Sequence, residues 1–202
     1  MMLDVRNIVD EKSIRELLSD EFEVSNPFDF IDMDKAVNRI QKAINNGEKI
    51  CVYGDYDADG VTSTALLYLY LENCGADVIY YIPDRNSEGY GLNFSAVDKL
   101  FAEKVSLIVT VDNGISALDE VAYANSLGID TVITDHHQPP ELLPHAVAIV
   151  DPHRADCKSS FKNLAGVGVV FKLVCALEGS TADVEFILEN YSDLILIGTV
   201  GD

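Results

Sequence analysis

From Ile50 onward the chain alternates short apolar runs with longer amphipathic stretches. The apolar runs, rich in β-branched and aromatic residues, fall at Ile50–Tyr53, Asp77–Ile82, Ser106–Val111, Thr131–Thr134 and Ala146–Val150, and they predict buried strands. Helical spacing occupies the intervals Thr62–Asn73, Asn93–Ala102 and Ala117–Ser126. This is the βαβ rhythm of an α/β fold: a five-stranded parallel sheet with helices on both faces. Ahead of it lie a short helix over Asp10–Asp20, a turn at Asn26–Asp29 and an amphipathic helix over Asp34–Asn45 closed by Gly47. Two further helices are expected over Asn163–Leu177 and Thr181–Ile197. The pattern divides the chain into a helical N-terminal extension, 1–46, packed on a main domain, 47–202.

Composition narrows the class. A length of 202 residues with 48% hydrophobic content is enough for the core of one α/β domain. No apolar run reaches the length of a membrane span, and MMLDVRNIVDEKS lacks a signal-peptide pattern, so no membrane partner is expected. Cys51, Cys74, Cys157 and Cys175 are scattered without a CxxC pair, which predicts reduced thiols and a cytoplasmic protein. Charge complicates the picture. Lys and Arg number 14 against 34 Asp and Glu, a net charge of −20 that repels nucleic-acid phosphates over most of the surface. A nucleic-acid substrate would then need a local basic strip, bound cations or a region outside this chain.

The strand ends carry the chemistry. In open α/β sheets ligands bind beyond the carboxyl ends of the strands. The first strand runs into Gly54 and then Asp55, Asp57 and Asp59; the second into Pro83-Asp84-Arg85; the third into Asp112-Asn113-Gly114. The fourth ends in Asp135-His136-His137 and the fifth in Asp151-Pro152-His153-Arg154. One Asp at one strand end is explained by helix capping, but five such ends together are not. Crowded carboxylates repel unless a cation neutralises them. Asp and His without Cys suit Mn or Mg better than structural zinc. Two such ions about 3.5–4 Å apart are a common device for phosphoester hydrolysis. An EF-hand is excluded because Leu66 stands where the loop from Asp55 needs a bidentate Glu. A dehalogenase-type phosphatase is disfavoured because Asp57 stands four residues beyond Tyr53. Ser63 and Ser116 sit at helix starts, where capping accounts for them.

The ordered set DADG (57–60), VDNG (111–114), DHH (135–137) and DPH (151–153) resembles the DHH phosphoesterase superfamily. The stretches GEKICVYGDYDADG, YYIPDRNSEGYGLN, ITDHH and LAGVGVVFKL resemble its RecJ branch of single-strand-specific exonucleases. The resemblance covers about Pro27 to Asp202. It implies an enzyme with two divalent ions, Mn or Mg, acting on single-stranded nucleic acid, most closely DNA. By motif matching it assigns metal ligation to Asp57, Asp59, Asp112, His136 and Asp202, with Asp135 orienting His136 and His137 facing the scissile phosphate. Asp55 and Asp151 would lie behind the ligands. Arg85, His153, Arg154, Gly166 and Gly168 would meet the substrate, although a solvated surface role is open for either arginine. Two departures stand out: Tyr53 occupies a position often held by His, and Asp151 one often held by Asn. A second domain follows in this superfamily, so the chain is expected to be the catalytic core of a longer protein.

Three functions are consistent with these residues. The first is a metal-dependent 5′–3′ exonuclease on single-stranded DNA. The second is a phosphodiesterase on short oligoribonucleotides or cyclic dinucleotides, which the acidic charge would suit. The third is an inactive scaffold, against which the retained Asp57, Asp59, Asp112, His136 and His137 argue.

Overall fold

A computed structural model describes residues 24–202 except 86, 160 and 180–183. The helix expected over Asp10–Asp20 lies outside the described residues. Five parallel strands form one sheet: β1 (Lys49–Tyr53), β2 (Val78–Tyr81), β3 (Val105–Val111), β4 (Asp130–Thr134) and β5 (Ala148–Val150), in the order β2-β1-β3-β4-β5. Six helices accompany it among the described residues: α1 (Met33–Asn46), α2 (Ala58–Asn73), α3 (Phe94–Ala102), α4 (Leu118–Ser126), α5 (Gly166–Glu178) and α6 (Val184–Gly201).

Both faces of the sheet are covered, which is why the strands read as apolar runs rather than as an alternation. Ile50, Val52, Leu107, Val109 and Val132 meet α1, α2, α5 and α6 on one side. Cys51, Tyr53, Ile108 and Ile133 meet α3 and α4 on the other. Each is fully buried, and burying a side chain of this size contributes roughly 1.5–3 kcal/mol. The sheet is therefore a rigid base for the loops at its rim. Met33, Ala36, Ile40 and Ala43 of α1 share that core, so the segment before β1 is built into the main body.

Element boundaries differ from the sequence reading where side chains act as caps. The helix expected from Thr62 begins at Ala58, because Asp57 serves as N-cap and its Oδ1 accepts the Gly60 N–H at 2.8 Å. Asp59 thus sits in the first helical turn and not in a loop. Asn93 caps α3 in the same way, accepting from the Ala96 N–H at 2.9 Å. Helix α5 starts at Gly166, later than expected, and α6 continues to Gly201, so Asp202 ends a formed helix. The close passage of α6 over α2 needs Gly198, where a Cβ would lie 2.3 Å from Thr62 Oγ1.

The chain leaves β1 toward β2 and leaves β3 toward β4, in opposite directions across the sheet. That divergence opens a crevice at the carboxyl ends of β1 and β3, the switch point where α/β folds place ligands.

Candidate metal centre

The strand-end residues converge on that crevice. Asp55 follows β1 and is buried, Asp57 is exposed at the start of α2, and Asp112 directly follows β3 and is buried. Carboxylate oxygens of these three lie within 4.8 Å of one another. A second group with the same mutual spacing joins Asp59, His136 and Asp202, and a third, Asp112, His136 and His137, bridges them. The two groups are linked by Asp112, whose Oδ1 lies 3.0 Å from His136 Nε2. His136 Nε2 is also 3.8 Å from Asp59 Oδ2 and 4.0 Å from Asp202 Oδ1.

Asp112 has φ 60°, the left-handed region that a non-glycine residue occupies only when its surroundings impose it. Its neighbour Asn113 braces the turn by donating to Val111 O at 2.9 Å and Tyr53 O at 3.3 Å. Gly166 closes over it: a Cβ there would lie 2.6 Å from Asp112 Cβ. The main chain at the start of α5 also fixes Asp59, whose oxygens accept from the N–H groups of Gly166 at 2.5 Å and Val167 at 2.8 Å. A carboxylate so placed gains from the helix N-terminus.

Electrostatics mark the same spot. Burial and the nearby Asp59 push Asp112 up to about 7, against the opposing pull of His136. Burial raises Asp55 and Asp59 as well. For His136 burial works downward, but Asp112, Asp202 and Asp59 outweigh it and raise the ring to about 9. Asp55 Oδ1 is buried without a hydrogen-bond partner among the described residues, and buried Asp112 Oδ1 and His136 Nε2 have at most each other. Buried polar atoms ordinarily find one. Crowded, mutually repelling carboxylates beside one imidazole fit divalent ions such as Mg or Mn.

The remaining expected site residues divide. Asp135 is buried and accepts from the main-chain N–H groups of Ile115 at 2.9 Å, His136 at 2.8 Å and His137 at 3.1 Å. Its ring partner is His137, not His136 as expected: His137 Nδ1 lies 2.7 Å from Asp135 Oδ1. These bonds overcome burial and hold the Asp135 carboxyl low, so it is ionised and the imidazole nitrogen donates. His153 borders the second group in a cavity of about 290 Å³ with His136, Asn163 and Asp202, and its N–H donates to Asp151 Oδ1 at 2.6 Å. Burial pushes Asp151 up to about 7. Arg85 stacks over the Tyr56 ring, 5.2 Å from its centroid, and its charge reaches Asp55.

Two expected substrate contacts turn out to be structural. Arg154 is clamped by Asp32 Oδ2 at 2.7 Å, Ile149 O at 2.6 Å and Asp156 Oδ2 at 2.8 Å, so its guanidinium serves the fold. Gly168 meets Leu164, where a Cβ would lie 3.0 Å from Cδ2, so it is a packing position within α5. Asp55, expected behind the ligands, has a carboxylate oxygen within 4.8 Å of those of Asp57 and Asp112. Its signal was present in the sequence as the first member of the DxDxD alternation.

A parallel α/β sheet whose rim gathers five aspartates and a histidine at the switch point defines an α/β architecture with a candidate divalent-metal centre. The chain belongs to the DHH family: the model of that family's N-terminal domain matches residues 49–199. It is 48% identical over 176 residues to the single-stranded-DNA-specific exonuclease RecJ of Bacillus subtilis, covering 87% of this chain and 22% of that protein. It is 43% identical over 180 residues to the Escherichia coli enzyme of the same name, covering 84% and 31% respectively. A crystal structure of exonuclease RecJ bound to manganese superposes with a TM-score of 0.75 at 34% identity, over 85% of this chain and 43% of that one. The chain therefore spans less than half of the length of these relatives.

Proposed function

We propose that this chain is the metal-dependent catalytic core of a cytoplasmic exonuclease that hydrolyses phosphodiester bonds in single-stranded DNA in the 5′–3′ direction. The observation that carries the reading is the pair of candidate ligand groups, Asp55, Asp57 and Asp112 beside Asp59, His136 and Asp202, joined through the 3.0 Å approach of Asp112 to His136. Its similarity to proteins named single-stranded-DNA-specific exonucleases supports the substrate class. Residues 47–202 form the DHH domain in this reading, with 1–46 an extension of it.

Asp55, Asp57 and Asp112 would hold one Mn or Mg ion, and Asp59, Asp112, His136 and Asp202 a second. When bound, such ions stabilise negative charge on phosphoryl oxygens and lower the pKa of water. The chain's own groups do the rest. The Gly166 and Val167 N–H groups lock the Asp59 carboxylate in place. Asp135 fixes the His137 ring through Nδ1, leaving Nε2 free to pass a proton to the departing oxygen. Arg85 stands near Asp55 to meet a phosphate that the −20 charge would otherwise repel.

Single-stranded oligonucleotides labelled at either end test the proposal. Mn-dependent release of label from the 5′ end, lost in Asp112→Ala, is expected. Metal-independent cleavage, or unchanged turnover in Asp112→Ala, would overturn it. The acidic surface favours a second reading, a phosphodiesterase for short oligonucleotides, and a length series in which only two- to five-residue substrates are cleaved would select it.

A further inference from the structure

A cavity of about 300 Å³ lies beside His137, outside the ligand groups. Its walls are Tyr90, Leu92, Ile115 and Ala117, with Ser116 and the carboxylates of Asp135 and Glu120. Leu92 and Ile115 are buried and Tyr90 is exposed, so the space has an apolar floor and an aromatic side. Asp135 accepts four donors already. The Glu120 carboxylate accepts none and forms no ion pair among the described residues, so it is the pocket's available acceptor.

We infer that this pocket is the subsite for one nucleobase flanking the scissile bond, with Glu120 reading guanine. The inference rests on the hydrolytic reading above and adds a recognition residue to it. The size admits a single nucleoside, and the apolar walls suit a flat ring. A free carboxylate excludes phosphate from the pocket, which keeps the scissile group out at the metal centre. Guanine offers two adjacent donors, N1–H and N2–H, that match the two oxygens of one carboxylate. Thymine offers N3–H between two carbonyl oxygens, which a carboxylate repels. Adenine and cytosine each set an acceptor beside their amino donor, so they fall between.

Calorimetric titration of the Mn-loaded protein with dGMP and with dTMP tests this, after titration with Mn alone. The wild type is expected to bind dGMP about tenfold more tightly than dTMP, the scale of one bidentate base contact. Glu120→Gln, which turns one acceptor oxygen into a donor, is expected to bring the two within about twofold while keeping the Mn stoichiometry. Equal affinities in the wild type, a guanine preference that Glu120→Gln retains, or no binding of either nucleotide would overturn the subsite. If Mn fails to bind the wild type, the hydrolytic reading falls and the subsite falls with it.

Discussion

Replacing Asp112 with Asn should stabilise the metal-free protein by an amount that grows with pH. The Asp112 carboxyl is raised from 3.8 to about 7, so the folded state binds more protons than the unfolded chain across that window. Its ionisation therefore costs stability as pH rises, reaching about 4 kcal/mol above pH 7 at 1.36 kcal/mol per pH unit. His136 works the other way. Its ring is raised from 6.5 to about 9, so its stabilisation is complete below 6.5 and disappears as pH rises through 9. Between about pH 7 and 9, where Asp112 is ionised, part of that stabilisation comes from Asp112 alongside Asp202 and Asp59. Asp112→Asn at pH 9 removes the carboxylate cost while losing almost nothing from His136, a gain of about 2–4 kcal/mol. At pH 5 Asp112 is already protonated in the folded state, so no attraction to the imidazolium is lost and the gain falls to under about 2 kcal/mol. Urea denaturation in excess chelator at pH 5 and pH 9 measures both. A loss of stability at either value, or a gain at pH 9 below about 0.5 kcal/mol or no larger than that at pH 5, would refute the reasoning.

Other substitutions separate ligation from folding. Asp57→Ala should cost the metal-free protein about 1 kcal/mol, because the lost N-cap of α2 outweighs relief of repulsion at an exposed carboxylate; stabilisation on thermal melting would contradict this. Gly166→Ala should cost about 1–3 kcal/mol by forcing Asp112 and the Asp59 anchor apart, and should weaken Mn binding at least tenfold in calorimetry. Wild-type Mn affinity in that variant would show the close approach to be incidental. His137→Gln should lower turnover roughly 10²–10⁴-fold while retaining Mn binding, since its Nε2 is assigned a proton and not a metal. Turnover within threefold of wild type would remove it from the mechanism.

Much of this was legible in the sequence because the sheet is buried on both faces. Uninterrupted apolar runs located all five strands, and their carboxyl ends pointed to the rim. What escaped were features set by side-chain contacts across the fold. The start of α2 moved because Asp57 turns its own carboxylate back onto the Gly60 N–H. Arg154 looked like a phosphate contact until Asp32, distant in sequence, closed on it. The pairing of Asp135 with His137 depends on ring orientation, which spacing does not encode. Asp55 and Asp57 differ in burial, and burial at a strand end depends on which loops cover it. Glu120 lies in the first turn of α4, where a helix-start acid needs no other explanation until the cavity beside it is seen.

The most direct measurement is anomalous diffraction from crystals of this chain grown with Mn. Two peaks are predicted, one coordinated by Asp55, Asp57 and Asp112 and the other by Asp59, Asp112, His136 and Asp202. Mn bound elsewhere, or no peak within bonding distance of Asp112, would contradict the account.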